Sequence, residues 1–208
     1  MEAEQYRTAG GQAEAELIEK KSRFIGHIRP VQTEEQAVAF VQEIRSGRRD
    51  ASHNVYAYVL REGSKLRHSD DGEPQGTAGL PVLEVLTKNG VVDAAVVVTR
   101  YFGGILLGAG GLVRAYSKCA ALALEQAGVA VMARCLEGKI VCEYAQYGAV
   151  QALLPGCGGS VDETLFGERV AVRFHLLPEN VPAFTQKLAD ATNGQAAAEW
   201  LGQRFLRL

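Results

Sequence analysis

The sequence lacks any uninterrupted apolar run that approaches the roughly 18 residues required for a membrane span. Its first 16 residues, MEAEQYRTAGGQAEAE, are acidic and polar and show no secretory signal. These two absences argue against a membrane partner. We therefore expect a cytoplasmic protein.

Cysteine is scarce, and its spacing does not suit a metal site. The four cysteines show no C-x-x-C pair, and no histidine is placed to complete a zinc site. Three of them lie inside apolar patterns, where a free cysteine behaves as a small hydrophobic residue. We predict reduced thiols in the core and no metal site. The cysteines are Cys119, Cys135, Cys142 and Cys157.

An excess of positive charge is also missing, since the net charge is -2. This value excludes a broadly basic nucleic-acid binder but not a local basic patch. Basic residues do crowd the first third of the chain, and two interpretations remain open: a solvated mixed surface or a phosphate-binding face. These residues are Lys20, Lys21, Arg23, Arg29, Arg45, Arg48, Arg49, Arg61, Lys65 and Arg67.

The chain up to Gly128 has the pattern of a mixed α and β domain. Thr33 precedes a run with one apolar helical face, which predicts a helix that ends near residue 47. Residues 54–61 and 93–100 are almost wholly apolar and predict strands that are covered on both faces. A long helix follows the second strand and ends at Gly128.

From about residue 136 the pattern changes. Strand and helix signals follow one another as β-α-β-β-α-β within about 70 residues, which is the ferredoxin-like arrangement. The overall fold class is therefore α+β, with one domain at residues 1–135 and a second at 136–208. We find no flexible linker between them.

A glycine-rich stretch, TRYFGGILLGAGGLVRAYS, joins the strand at 93–100 to the long helix. It fits neither the Walker pattern nor the dinucleotide fingerprint, because the required lysine and third glycine are missing. A buried strand that leads through glycines into a helix can present backbone N–H groups to an anion, and Arg100 and Arg114 could add charge. The alternative is that the glycines only permit positive φ and close packing.

A second polar loop, HSDDGEPQGTAGLP, contains three carboxylates within four residues: Asp70, Asp71 and Glu73. Such a loop could hold magnesium or supply a general base. The simpler interpretation is an Asp-Gly turn with solvated acids. His53 lies before an apolar strand, where a structural hydrogen bond is the commoner role. The candidate polar cleft comprises His53, Asp70, Asp71 and Glu73.

Four blocks of the sequence resemble the YigZ/IMPACT family of small conserved proteins. They are KKSRFIGH, ASHNVYAYVLR, SDDGEPQGTAGLPVLEVL and VVVTRYFGGILLGAGGLVRAYS, and they lie in order within residues 15–128. The second half is similar, in arrangement, to the C-terminal domain of the bacterial two-domain members. The resemblance implies that the first domain has the fold of the second domain of ribosomal protein S-five. It also implies a ferredoxin-like second domain, as in translation elongation factors.

The resemblance further implies a role in translation. Eukaryotic members restrain activation of an initiation-factor kinase by competing for its activator, and they carry an additional N-terminal interaction domain. About 14 residues precede the first matched block here, so we expect that domain to be absent and the kinase-regulating role not to carry over intact. The motifs that carry over are residues 20–24, His53, residues 70–79 and residues 100–114, and the family supplies no active site for them.

We therefore predict a regulatory or binding protein of translation, more readily than an enzyme, that contacts RNA, the ribosome or a translation factor. The alternative is an enzyme that acts on a phosphorylated or nucleotide ligand through the loop from Gly103 to Gly111. We predict no cofactor, and magnesium enters only under this alternative. The candidate anion- or nucleic-acid-binding residues are Lys20, Lys21, Arg23, Arg100, Gly103, Gly104, Gly108, Gly110, Gly111 and Arg114.

Overall fold

Ten strands and five α-helices make up the part of the chain that the computed structural model describes, residues 5–208. The first four residues of the acidic N-terminal stretch lie outside it. In chain order the elements are β1 (Gln5–Ala9), β2 (Ala13–Glu19), β3 (Ser22–Pro30), α1 (Glu34–Gly47), β4 (His53–Leu60), β5 (Lys65–Ser69), α2 (Gly79–Lys88), β6 (Ala94–Tyr101), α3 (Ala109–Ala127), β7 (Val129–Cys142), α4 (Tyr144–Gly156), β8 (Ser160–Phe166), β9 (Val170–Leu176), α5 (Val181–Thr192) and β10 (Ala198–Arg207).

The described residues divide into two units, residues 6–131 and residues 132–208 together with Gln5. In the first unit the antiparallel sheet has the order β2-β3-β6-β4-β5. In the second, β10, β7, β9 and β8 are neighbours in that order. The predicted α+β class and the β-α-β-β-α-β order are confirmed.

Three strand predictions need correction. His68 and Ser69 were expected in a polar loop but belong to β5, which pairs with β4. β7 begins at Val129 rather than near residue 137. β1 was not predicted at all. Both β5 and the first half of β7 lack a clear apolar alternation, so their extended form depends on pairing with a neighbouring strand.

Strand β6 lies in the middle of the first sheet, and both of its faces are covered, as predicted. Val96 and Val98 belong to the core that α2 and α3 form on one face. Ala95 and Val97 pack on the other face with α1, where Phe40 is almost fully buried. The run of five apolar side chains at residues 94–98 suits this three-layer arrangement.

The helix α3 packs closely against β3 because Gly26 has no side chain. A Cβ atom at Gly26 would lie 2.9 Å from the backbone oxygen of Cys119 and 3.2 Å from the Cβ of Ala123. Phe24, two residues earlier on the same face, contacts Tyr116 of α3 edge to face, with ring centroids 5.2 Å apart. This close approach fixes the helix that begins at the glycine-rich loop.

In the second unit α4 and α5 pack on one sheet around Phe174 and Phe184, whose ring centroids are 5.1 Å apart. All four cysteines of the protein are free and buried, as predicted. Burial raises the pKa of the Cys119 thiol to about 12. Among residues 5–208, no helix is long and apolar enough to cross a membrane.

We expect Gly26→Ala to lower the free energy of unfolding by about 1 to 3 kcal/mol, because the new methyl group must displace the backbone of α3. Gly47→Ala is the matched control, since a Cβ there meets nothing within 4 Å. It should be neutral or stabilising by up to about 1 kcal/mol, as alanine is the better helix former. Urea unfolding of both variants checks this, and equal stabilities would contradict the close packing.

Candidate functional site

The turn between β2 and β3 carries two lysines in an unusual backbone conformation. Lys20 and Lys21 have φ values of 45° and 65°, in the left-handed region that Asn and Gly normally occupy in such hairpin turns. Gly103 lies directly against this turn, and a Cβ atom there would lie 2.0 Å from the backbone carbon of Lys21. The glycine at 103 therefore brings the glycine-rich loop and the two lysines together.

The glycine-rich loop ends at the N-terminus of α3. Gly104 and Gly108 have φ values of 81° and 74°, which side chains rarely adopt. Gly108 is the N-cap residue of α3. No side chain caps this end of the helix, and its first turn contains no acidic residue. The first backbone N–H groups of α3 are therefore open to an external acceptor. Gly110 and Gly111 lie within that first turn.

Three cations line a cavity of about 220 Å³ beside this loop: Lys20, Arg114 and Lys118. We call them the basic cluster. Within residues 5–208 none of the three forms an ion pair, and Glu19 is the acid that lines the same cavity. Lys118 was not predicted, although it follows Arg114 by four residues and so shares its helix face.

Three predicted members of the cationic set lie outside the basic cluster. Lys21, next to Lys20 in the turn, is not among the residues that line the cavity. Arg23 is paired with Glu16, with 2.7 Å between Nη2 and Oε2. Arg100 is buried, and its Nη1 lies 2.6 Å from Oε1 of Glu73. Tyr116 donates a hydrogen bond of 2.7 Å to the same oxygen. The pKa of Tyr116 is raised, mainly by burial and to a smaller extent by this hydrogen bond to the Glu73 carboxylate.

A second cavity, of about 390 Å³, lies on the other side of the loop. We call it the Glu73 pocket. Its charged and polar walls are His53, Glu73 and Arg100. Its apolar walls include Phe102, Leu106 and Leu112, and Gly108 and Ala109 contribute the N-terminus of α3. The loop thus separates a cationic cavity from one in which acid and base are already paired.

His53 is oriented by the backbone. Its Nδ1 lies 2.8 Å from the carbonyl oxygen of Asp71, which can only accept, so Nδ1 carries a proton. The other nitrogen, Nε2, lies 3.9 Å from Oε2 of Glu73. In the neutral ring Nε2 is therefore an acceptor on the same side as the Glu73 carboxylate.

The other two acids of the predicted cleft do not line the Glu73 pocket. Asp70 accepts hydrogen bonds from the backbone N–H groups of Gly76, Ala78 and Gly79, at 2.9, 3.1 and 2.8 Å. Asp71 accepts from the backbone of Asn54 and from Arg45, each at 2.6 Å. Both carboxylates hold the loop in place, and only Glu73 faces the cavity.

The described part of the chain contains no group of three or more His, Cys, Asp or Glu residues that could hold a metal ion. Sequence proximity placed Asp70, Asp71 and Glu73 together. The backbone turns between them, with φ values of 46° at Asp71 and 88° at Gly72, and sends the three side chains to different partners. The candidate site is therefore two cavities that share the N-terminus of α3.

Comparison with protein families matches two models to the chain. The Impact N-terminal domain matches residues 20–124, and a domain of unknown function (DUF1949) matches residues 140–195. The first match contains the basic cluster and the Glu73 pocket. These matches confirm the resemblance drawn from the sequence blocks.

Similar proteins occur in bacteria and eukaryotes. The IMPACT family member YvyE of Bacillus subtilis is 38% identical over 198 residues, which cover 92% of this chain and 88% of that protein. The IMPACT family member YigZ of Escherichia coli is 40% identical over 178 residues, or 84% of this chain and 87% of that protein. The protein IMPACT homolog of Dictyostelium discoideum is 38% identical over 97 residues, 44% of this chain and 28% of its own length.

A solved structure has the same fold along nearly the whole chain. It is a crystal structure of a hypothetical protein that is 36% identical, with a TM-score of 0.62, and the match covers 96% of this chain and 98% of that one. Both units of the present chain thus have counterparts in a single solved protein.

The Asp70 carboxylate should make stability depend on pH in the acid range. Burial raises the pKa of Asp70, but the three backbone N–H donors outweigh it and the net pKa is lowered. A carboxyl whose pKa is lower in the folded than in the unfolded state stabilises the fold at pH values above its unfolded pKa. This contribution is lost as the pH falls through the folded pKa. We expect Asp70→Asn to cost about 1 to 3 kcal/mol at neutral pH.

The cost of Asp70→Asn should shrink as the pH falls below roughly 4, the unfolded pKa of Asp, and on through the lower folded pKa. Urea unfolding at a series of pH values measures this difference. Glu168→Gln, at an exposed acid in the turn between β8 and β9, is the control and should leave stability unchanged. A cost for Asp70→Asn that is constant from neutral pH to strong acid would contradict the assignment.

Proposed function

The chain belongs to the IMPACT family, and on this premise we propose that it is a cytoplasmic, translation-associated binding protein whose basic cluster contacts RNA. The family resemblance supplies the link to translation. The observation that carries the RNA contact is the position of Lys20, Arg114 and Lys118 around one cavity, where none of the three forms an ion pair within residues 5–208 and Glu19 is the acid in the lining. Lysine and arginine side chains grouped in this way on one face suit phosphate oxygens.

The hairpin turn beside the cluster supports this proposal. Lys21 follows Lys20 in the turn, so a further cation lies next to the cavity. Lysine at two left-handed positions costs more than the usual Asn-Gly would. We infer that lysines stand at these unfavourable positions because their positive charge is needed for binding.

Exposed apolar side chains on the loop offer a second kind of contact. Phe102 is 49% exposed and Leu106 is 81% exposed. Aromatic rings beside cations are the usual platform on which unpaired bases stack. Such stacking would favour single-stranded or looped RNA, including exposed loops of ribosomal RNA, over a regular duplex.

RNA, the ribosome and a translation factor were all predicted as partners, and we favour RNA. A phosphate backbone matches unpaired cations, whereas a protein partner would need a defined set of acidic groups. Cosedimentation with ribosomes is therefore a separate measurement from RNA binding in the experiments below.

The enzyme alternative stays a prediction. A nucleotide phosphate in the Glu73 pocket would meet Arg100, whose charge is already compensated by Glu73. The loop residues 103–111 carry no hydroxyl group. Magnesium would need several free carboxylate oxygens, and the carboxylates of Asp70 and Asp71 are occupied by hydrogen bonds.

We expect the double variant Arg114→Gln with Lys118→Gln to weaken RNA binding at least tenfold at low salt. Removing two phosphate contacts should also reduce the slope of log K against log salt by about 1.4 for a single strand. Fluorescence anisotropy with a labelled single-stranded RNA of about 12 nucleotides measures both quantities.

The matched control is Arg67→Gln with Lys88→Gln, which removes two exposed cations of the first unit and changes the net charge equally. Arg67 lies on β5, at the opposite edge of the sheet from β2, and Lys88 lies in the last turn of α2. This control should retain the wild-type affinity and slope. An equal loss in both double variants would show that only net charge matters. Absence of binding by the wild type at low salt, with ribosome cosedimentation also negative, would overturn the RNA contact.

A further inference from the structure

The Glu73 pocket carries an inference that is independent of RNA binding. We propose that this pocket binds a small carboxylic acid with an apolar body, whose carboxylate meets Arg100 and the N-terminus of α3. The site differs from the basic cluster in its walls and in its charge. It would remain a binding site if the RNA contact proved wrong.

The size and walls of the pocket suit a small organic ligand. Its volume of about 390 Å³ lies within the range of roughly 300 to 1,000 Å³ that small-molecule sites occupy. Phe102, Leu106 and Leu112 form one apolar part of its wall. Phe102 and Leu106 are well exposed, so a bound apolar group would remove their surface from water.

The N-terminus of α3 supplies donors for a negative group. Gly108 and Ala109 line the pocket, and α3 begins at Ala109. The first N–H groups of a helix have no partner within the helix, and the helix dipole favours negative charge there. No side chain caps this end of α3, so the donors are available to a ligand.

A buried donor without an acceptor is the second, independent observation. Arg100 lines the pocket with its side chain only 6% exposed. Its Nη1 is paired with Glu73 and its Nη2 lies 3.4 Å from Ser22, but among residues 5–208 its Nε has no hydrogen-bond partner. Buried polar groups in folded proteins are nearly always paired. A ligand oxygen would supply the missing acceptor.

The charge of the pocket favours one negative charge rather than two. Glu73 neutralises Arg100, so the cation can share its N–H groups with a carboxylate but has no excess charge for a phosphate dianion. A dianion would also lie near the Glu73 carboxylate. The repulsion between the two would be strong because the Glu73 side chain is buried. Phosphate groups are better matched by the unpaired cations of the basic cluster.

Hexanoate, 1-hexanol and inorganic phosphate separate the parts of this proposal. We expect hexanoate to shift the amide resonances of Ala109 and Gly110 and the Nε–H resonance of Arg100, with saturation in the millimolar range, in two-dimensional ¹⁵N NMR of the full chain. The alcohol has the apolar body without the charge and should bind at least tenfold more weakly. Inorganic phosphate should shift resonances near Arg114 and Lys118 instead.

Two pairs of variants test the location. Ala109→Phe fills the pocket from an exposed position at the start of α3, and Val113→Phe adds the same ring one turn later, outside the pocket. Leu106→Glu places a carboxylate at the pocket wall, and Ile105→Glu is its neighbouring control. The first member of each pair should weaken hexanoate binding at least tenfold, and each control should not.

The proposal is overturned if hexanoate causes no saturable shift at these resonances, or if 1-hexanol binds as tightly as hexanoate. It is also overturned if the pocket variants and their controls behave alike. These readouts do not involve RNA, so failure of the carboxylate site and failure of the RNA contact are distinguishable.

Discussion

The buried ion pair between Arg100 and Glu73 is the interaction on which the described site depends. Arg100 lies near the end of β6, Glu73 lies in the loop before α2, and Tyr116 of α3 donates to the same carboxylate oxygen. Ser22, at the start of β3, is within reach of Arg100 and accepts a hydrogen bond from the backbone of Gly103. One charge pair therefore joins the sheet, two loops and a helix. Breaking such a pair by removing one partner typically costs about 3 to 5 kcal/mol.

That interaction explains why one loop can separate two different cavities. Leu107 is buried and lines both of them, with the basic cluster on one side and the Glu73 pocket on the other. Arg100 is held away from the cationic side by Glu73, so the cations near the hairpin turn remain a separate group. The backbone of the loop thus lies between the cations that could bind phosphate and the polar groups that could bind a small acid.

The sequence predicted what depends on local pattern, and it failed where the answer depends on partners distant in the chain. The apolar run of β6 and the stop at Gly128 are local signals, and both predictions are confirmed. Asp70, Asp71 and Glu73 are adjacent in sequence, which favoured a shared carboxylate site. Their separation follows from the positive φ at Asp71 and from donors in other segments, such as Arg45 at 26 positions away. The burial of Arg100 could not be predicted because its partner, Glu73, lies 27 positions earlier.

Gly103 illustrates how a residue can be essential to a site without touching a ligand. Its φ is not in the left-handed region, so its conformation alone would permit any residue. What requires glycine is the Lys21 backbone, which a Cβ atom would overlap at 2.0 Å. Any side chain at 103 would push the loop away from the hairpin turn and shift Arg114 relative to Lys20. The lysine turn beside the loop is therefore what requires glycine at position 103. The position of the cations follows from backbone packing rather than from a phosphate-binding motif.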